Sequence, residues 1–397
     1  MDTMVSDEIL RRTKSLYPTL VKWRRHFHSL PELSDVEFQT TAFLKAQIKK
    51  QGLRILPIDL PTGLLVELSG KVKGPTVAIR SDIDALPVTE LNAIPFRSKN
   101  VGIMHACGHD MHMATVLGAA TVLAQLKSHV RGKIRFLFQP AEEMPPGGAR
   151  PMIENGALRG VSHILGLHVD PDIPVGTIGL RDGATMASVF DFDLIVQGRS
   201  GHAAKPHLAV DAITVAAEII ESLQKIVSRE TDPVDPVVIT FGKISGGRAR
   251  NVIVDEVHLE GTARTLSAAT QKKLPALIRR TVDGICRAHD AGFRLLPIAT
   301  YPVLKNDPKV NKVLARNFEA LFGKGRINVT EPVLGSEDFA CYLEKVPGAM
   351  FRLGVRNPKI KADQPWHSSR FMADENALIV GVALLAAAAL EVAGETA

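Results

Sequence analysis

The feature that most limits the fold of this chain is a recurring ending. Strand-like apolar runs alternate with helix-like segments, and the loops that close them carry side chains able to bind a proton or a metal. Residues 64–68 and 76–80 read as strands, and Ser81-Asp82-Ile83-Asp84 follows the second. Residues 113–127 read as a helix of small residues. Residues 134–138 and 163–168 are further short strands, the first followed by Glu142-Glu143 and the second closed by His168. A later strand, 350–354, leads into a loop with Pro365-Trp366-His367. Such alternation predicts an α/β fold, with a mixed, mostly parallel sheet flanked by helices. Ligands of these sheets gather beyond the carboxyl ends of the strands, so these four segments, with the cysteine- and histidine-rich stretch 105–112 as a fifth, deliver carboxylate, imidazole or thiolate to one edge. Upstream, residues 7–51 read as helical with a break at Leu30-Pro31-Glu32.

The texture changes between 186 and 299. Residues 189–196 alternate, with Phe190, Phe192, Leu194 and Val196 on one face and Asp191 and Asp193 on the other, as a half-buried antiparallel strand does. A helix over 209–227 follows, then strands over 237–244 and 252–262, a helix over 268–289 and a strand over 293–298. The order βαββαβ is that of a ferredoxin-like α+β domain. Because the His367 loop lies beyond it, this unit is inserted. The expected organisation is a discontinuous metal-binding catalytic domain, 1–185 and 300–397, and an inserted lid and dimerisation domain, 186–299.

The charge balance excludes one class of partner. The 48 Lys and Arg against 42 Asp and Glu leave a net charge of +6, and with aromatics at 5% there is no base-stacking surface for nucleic acid. Arg11-Arg12, Lys22 and Arg24-Arg25 read as a solvated helix face. Cys107, Cys286 and Cys341 lack disulfide-framework spacing, which fits a reducing compartment. The first ten residues hold no apolar signal core. The apolar run 377–390 is too short to span a bilayer, so a buried helix is expected. A soluble cytoplasmic protein without membrane association follows as the expectation.

His105-Ala106-Cys107-Gly108-His109-Asp110-Met111-His112 concentrates more coordinating groups than a fold requires. Gly108 lets the backbone turn sharply, so Cys107 and His109 can face one metal. With a glutamate, His168 and His367, the set suffices for two divalent cations sharing the Cys107 sulfur, and it accepts zinc, manganese, cobalt or nickel. Paired cations activate water and polarise a carbonyl, and a carboxylate outside their shell must then carry the proton. Glu142-Glu143 can divide those tasks. Asp84 can hold a ligand histidine in orientation, or form a turn. Asp110 is an acidic group for the first turn of the next helix or part of the site. His105, His112, His26 and His28 receive no role. In the inserted domain, the Gly198-Arg199-Ser200-Gly201-His202 loop can present His202 to a substrate. Asn251 can donate a hydrogen bond, and Arg264, ending an apolar strand, wants a carboxylate or solvent.

Several of these motifs, His105-Ala106-Cys107-Gly108-His109-Asp110, Gln139-Pro140-Ala141-Glu142-Glu143 and Gly201-His202-Ala203-Ala204, together resemble the dinuclear-metal amidohydrolases. That family includes hippurate hydrolase, bacterial N-acyl-amino-acid amidohydrolases and plant auxin-conjugate hydrolases. Ser81-Asp82-Ile83-Asp84-Ala85-Leu86-Pro87, Gly335-Ser336-Glu337-Asp338-Phe339 and the spacing from His367 to Asp374-Glu375 extend the resemblance from about Arg24 to Leu378. It implies that Cys107 bridges two divalent metal ions, that His109, Glu143, His168 and His367 complete the ligands, and that Glu142 is the general base. It further implies that His202 stabilises the oxyanion, reaching a partner subunit's active site as in the wider superfamily, and that Asn251 and Arg264 contact the substrate carboxylate. A homodimer or homotetramer through the lid domain goes with that arrangement. The chain departs from the family at Val254, where relatives often have Pro, and at Met111-His112, where they often have Gly-His; neither position is an implied ligand, and both bear on substrate preference.

The resulting expectation is a metal-dependent amidohydrolase acting on N-acyl-L-amino acids, with lid closure excluding water. A metallocarboxypeptidase or dipeptidase acting on small peptides is the alternative in the same chemistry. A catalytically silent metal-binding assembly module is the alternative of another class, disfavoured because Glu142 and every ligand are present.

Overall fold

The computed structural model describes residues 3–395, and their contacts divide into two compact units. Of the described residues, the first comprises 3–183, 305–331 and 341–395; the second comprises 184–304 and 332–340. The second unit thus takes in a short return segment besides the inserted stretch.

The first unit is built on an eight-stranded mixed sheet. Its strands lie in the order Arg54–Leu56, Leu64–Ser69, Arg131–Gln139, Val72–Asp82, Val161–Pro174, Gly348–Arg356, Ile178–Leu180, Ile327–Val329. The four strands from Arg131–Gln139 to Gly348–Arg356 run parallel. Ile134, Phe136, Leu137 and Phe138 are all buried, which is the continuous apolar run a strand shows when helices cover both faces. Register brings the ends of these strands level. Asp82 pairs with Gln139, Arg80 with Gly166, and Arg352 with His168, so Asp82, Gln139 and His168 reach the same edge.

Helices Thr3–Ser29, His109–Gln125 and Ala377–Glu395 pack on one another. They approach closely because Gly118 has no side chain: a Cβ there would lie 2.6 Å from Leu20 and 2.7 Å from Val382. The C-terminal helix is longer than its sequence suggested. Length therefore does not exclude a membrane span for Ala377–Gly394, but 83% of that stretch is buried, as in a core helix. A second correction concerns the basic blocks near the N-terminus. Arg24 is not on a solvated face: it is 1% exposed, and its Nε lies 2.8 Å from the equally buried Asp110 carboxylate.

In the second unit, strands Ser188–Gln197, Val237–Gly246, Glu256–Thr265 and Gly292–Tyr301 form an antiparallel sheet with Glu256–Thr265 and Ser188–Gln197 at its centre. With helices Ala212–Lys225 and Ala268–Ala288 this is the βαββαβ order. Phe190, Phe192, Leu194 and Val196 bury against Val215, Ile219 and Leu223 of one helix and Leu274, Ile278 and Val282 of the other, the i, i+4 rows expected of amphipathic helices. Asp211 and Ser267 cap the two helices. The expected strand 252–262 is split. Val252–Ile253 pairs with Gly201–His202 as a separate ribbon, and the sheet strand begins only at Glu256.

Candidate metal centre

Gly108 decides the local geometry. Its φ of +88° is open to glycine at no steric cost, and a Cβ there would lie 2.4 Å from Val169 Cγ2. The turn puts Cys107 and His109, the first residue of the following helix, on one side of the backbone. The His367 loop is tied to the same place: His367 N–H donates to Ala106 O at 2.9 Å, and Trp366 Nε1–H donates to Val169 O at 3.0 Å. His367 itself adopts a left-handed φ of 62°.

The first unit brings the six expected catalytic-domain donors together. Cys107, His109 and His168 place their ligand atoms within 4.8 Å of one another, and so do Cys107, Glu143 and His367. Cys107 thus belongs to two triads. His109, Glu142 and Glu143 form a third group of this kind. Glu143 Oε1 lies 3.7 Å from His109 Nε2 and 3.6 Å from His367 Nε2. Cys107 Sγ and His168 Nε2 are 3.4 Å apart.

The chemistry of this donor set fits divalent cations. His109 Nε2 and Glu143 Oε1 are buried with no hydrogen-bond partner among the described residues. Burial, and then the nearby Glu143 and Glu142 carboxylates, push the Cys107 thiol well above its usual range. Burial likewise pushes Glu143 up to about 7. Burial works against charge on His109, yet Asp82, Asp84 and Glu143 outweigh it and push the imidazole up to about 10. Protons here occupy positions that a cation would take, because ligands must be deprotonated to bind.

The partners behind these donors are as defined as the donors. His109 Nδ1 faces Asp84, 2.9 Å from its carbonyl and 3.2 Å from its carboxylate, which leaves Nε2 toward the cluster. Sequence reasoning missed Asp82 and His112. His112 Nδ1 lies 2.7 Å from Asp82 Oδ1, and its Nε2 accepts the Val169 N–H at 2.9 Å. Both ring nitrogens are therefore engaged, so His112 braces the strand beside His168 and has no lone pair left for a metal. The signal was present in the sequence, since His112 stands one helical turn after His109, but the partner Asp82 could be found only in three dimensions. Asp110 is the acidic first-turn residue and also the centre of a buried cluster with Arg24 and His28.

The remaining expected residues lie in the second unit. His202 is exposed, and its Nδ1 accepts the Ala204 N–H at 3.0 Å, so Nε2 carries the proton and can donate. Asn251 is adjacent through the ribbon, its carbonyl accepting the Ala203 N–H at 3.1 Å. Arg264 is not brought to these two. It pairs with Val189, whereas Glu256, at the ribbon end of the same strand, pairs with Gln197. Eight residues of strand, roughly 26 Å, separate the two ends. Arg264 Nε is buried with no partner among the described residues.

Comparison with known proteins points in one direction. The profile of peptidase family M20/M25/M40 matches residues 78–391. N-acetyl-L-cysteine deacetylase of Bacillus subtilis is 41% identical over 92% of this chain and 86% of its own. Thermostable carboxypeptidase 2 of Saccharolobus solfataricus is 37% identical over 94% of this chain and 95% of its own. Among solved structures, a dinuclear metal binding peptidase of the M20 family from Bacillus subtilis superposes with a TM-score of 0.83 at 36% identity, covering 96% of this chain and 99% of that one.

Proposed function

Because the chain belongs to peptidase family M20/M25/M40, we propose that it is a metal-dependent amidohydrolase that splits N-acyl-L-amino acids into a carboxylic acid and a free amino acid. The observation that carries this reading is the placement of Glu142 beside two donor triads that share Cys107. Glu142 Oε2 lies 3.9 Å from His109 Nε2, and of the two neighbouring carboxylates it is Glu143 that approaches both His109 and His367.

Cys107, His109, Glu143, His168 and His367 would hold two divalent ions, zinc, manganese, cobalt or nickel. When bound, these supply Lewis-acid polarisation of the acyl carbonyl and an acidified water. Glu142 takes the proton of the attacking water as the C–O bond forms and the carbonyl oxygen gains charge, then gives it to the leaving nitrogen as the carbonyl re-forms and the amide C–N bond breaks. Asp84 keeps His109 in the tautomer that offers Nε2, and Asp82 with His112 keeps the backbone beside His168 in place. His202 Nε2–H donates to the oxygen that gains charge. Arg264 takes the substrate carboxylate and Asn251 adds a hydrogen bond. The separation of His202 and Asn251 from Arg264 within one unit favours a homodimer or homotetramer in which the two groups serve different centres.

A carboxypeptidase action on small peptides is the second reading, favoured by the similarity to the Saccharolobus carboxypeptidase. Both are tested by one panel: N-acetyl-L-cysteine, N-acetyl-L-methionine, N-benzoylglycine and an N-blocked dipeptide, offered to chelator-treated protein with single metals restored. Metal-dependent release of amino acid from the simple N-acyl substrates, abolished by Glu142→Gln, is expected. Preference for the blocked dipeptide transfers the assignment to the peptidase reading. Turnover that survives Glu142→Gln refutes the assignment of the base.

A further inference from the structure

Glu37 is a carboxylate with no evident local purpose. It stands immediately before helix Phe38–Lys50, yet its side chain caps nothing there, because Glu32 accepts the Gln39 and Thr40 N–H groups at 3.0 and 2.8 Å. It is fully buried, and no cation pairs with it among the described residues. Burying a carboxylate without a cation is costly. Burial raises its pKa, although the bonds it accepts work the other way.

Those bonds show where it acts. Glu37 Oε2 accepts the Thr62 hydroxyl at 2.7 Å, and Oε1 accepts the Ala141 N–H at 2.9 Å. Ala141 has a φ of +51°, a left-handed conformation that costs a residue with a Cβ free energy and persists only where its surroundings impose it. The next residue is Glu142. On its far side, Glu143 N–H donates to Asp84 Oδ2 at 2.9 Å, and the Ser34 hydroxyl holds that same oxygen at 2.7 Å. The backbone on both sides of Glu142 is thus gripped by buried carboxylates. One segment between the first two helices supplies both Glu37 and the serine that fixes the other grip.

We propose that Glu37 is a positioning residue for the reaction: by accepting the Ala141 N–H it holds Ala141 in the left-handed turn that sets the direction of the Glu142 carboxylate. This rests on Glu142 being the general base. Misplacement of a reacting group by about 1 Å can cost a hundredfold in rate, so the effect belongs in kcat rather than in substrate binding or metal uptake.

The test uses the metal-reconstituted full chain and whichever of the four panel substrates turns over fastest. Glu37→Met, which removes the acceptor at similar length, should lower kcat by roughly ten- to a hundredfold, with KM nearly unchanged and two metal ions per chain still found by mass spectrometry. Glu37→Gln keeps an acceptor for the Ala141 N–H and should retain most of the rate. Adding Ala141→Gly to Glu37→Met should restore kcat severalfold, because glycine enters the left-handed region without strain; a purely structural role for Glu37 gives no such rescue. Should Glu37→Met not fold, Glu37→Asp withdraws the acceptor by about 1.5 Å and takes its place with the same expected loss. Wild-type kcat in the acceptor-deficient variant, loss of metal in step with activity, or no rescue by glycine would each overturn the proposal. Glu142→Gln, run alongside, separates the two ideas: if it is inactive while Glu37→Met is fully active, only the positioning role fails, and if it is active, the base assignment fails first.

Discussion

Arg24 and Arg25 are neighbours in sequence and share Glu375, yet replacing each by Met should give very different results. Arg24 is 1% exposed, and its Nε lies 2.8 Å from Asp110 Oδ2, itself 1% exposed; its contact with Glu375 is longer, at 3.3 Å. Arg25 is 47% exposed and meets Glu375 at 2.7 Å. Removing one partner of a buried pair strands the other charge in a poorly solvated site, at a cost of about 3–5 kcal/mol. His28 Nδ1 stays 2.8 Å from Asp110 and offsets part of that charge, so Arg24→Met belongs near the lower bound, about 3 kcal/mol. Arg25→Met removes an exposed pair worth about 0–1 kcal/mol. The assay is denaturant unfolding of chelator-treated protein followed by tryptophan fluorescence. The chain has two tryptophans, Trp23 and Trp366, and both lie in the first unit, so the signal reports that unit alone. Equal losses from the two variants would refute the argument that burial, not pairing distance, sets the contribution.

Two further outcomes are expected. Gly108→Ala must place a Cβ 2.4 Å from Val169 at a φ of +88°; it should reduce metal content below two ions per chain and abolish turnover, whereas Gly52→Ala, at φ +69° with open space around it, should keep both metals and lose only about 1 kcal/mol of stability. Burial and Arg24 oppose charge on His28, but Asp110 and Glu90 outweigh them and raise its pKa above 6.5, so its charged form stabilises the fold fully below pH 6.5 and this contribution is lost as pH rises through the raised value. In chelator-treated protein, thermal unfolding of wild type and His28→Gln should therefore differ most below pH 6.5 and converge as the pH is raised through the elevated His28 pKa, and a constant difference would contradict the assignment.

How much of this was legible beforehand follows from what each feature depends on. Period-two alternation from Phe190 to Val196 and the i, i+4 rows of the second unit are properties of neighbouring residues, so the ferredoxin-like order could be read directly. The split at residues 252–256 could not, because Val252–Ile253 is apolar enough for the sheet and leaves it only to pair with Gly201–His202. In the first unit, the rule that ligands collect at the carboxyl edge of parallel strands located the neighbourhood of Cys107, His109, Glu142, Glu143, His168 and His367 before any distance was known. Residue type and spacing carry that information because metal ligation needs particular side chains.

The sequence by itself determined which side chains are candidate donors, the alternation that builds their sheet, and the glycine that lets Cys107 and His109 share a side. Tertiary structure alone decided what stands behind them. Arg24 reads as one of several solvated arginines until Asp110 is found against it, and His112 reads as a spare histidine until Asp82 and the Val169 N–H occupy both its nitrogens. Glu37 is not set apart in the sequence at all until its carboxylate is found on Ala141, 104 residues away. The physical reason is common to all three. Ligand chemistry is written in residue types, whereas the free energy of a buried charge or hydrogen bond depends on which distant groups share its low-dielectric surroundings, and only the folded chain fixes that.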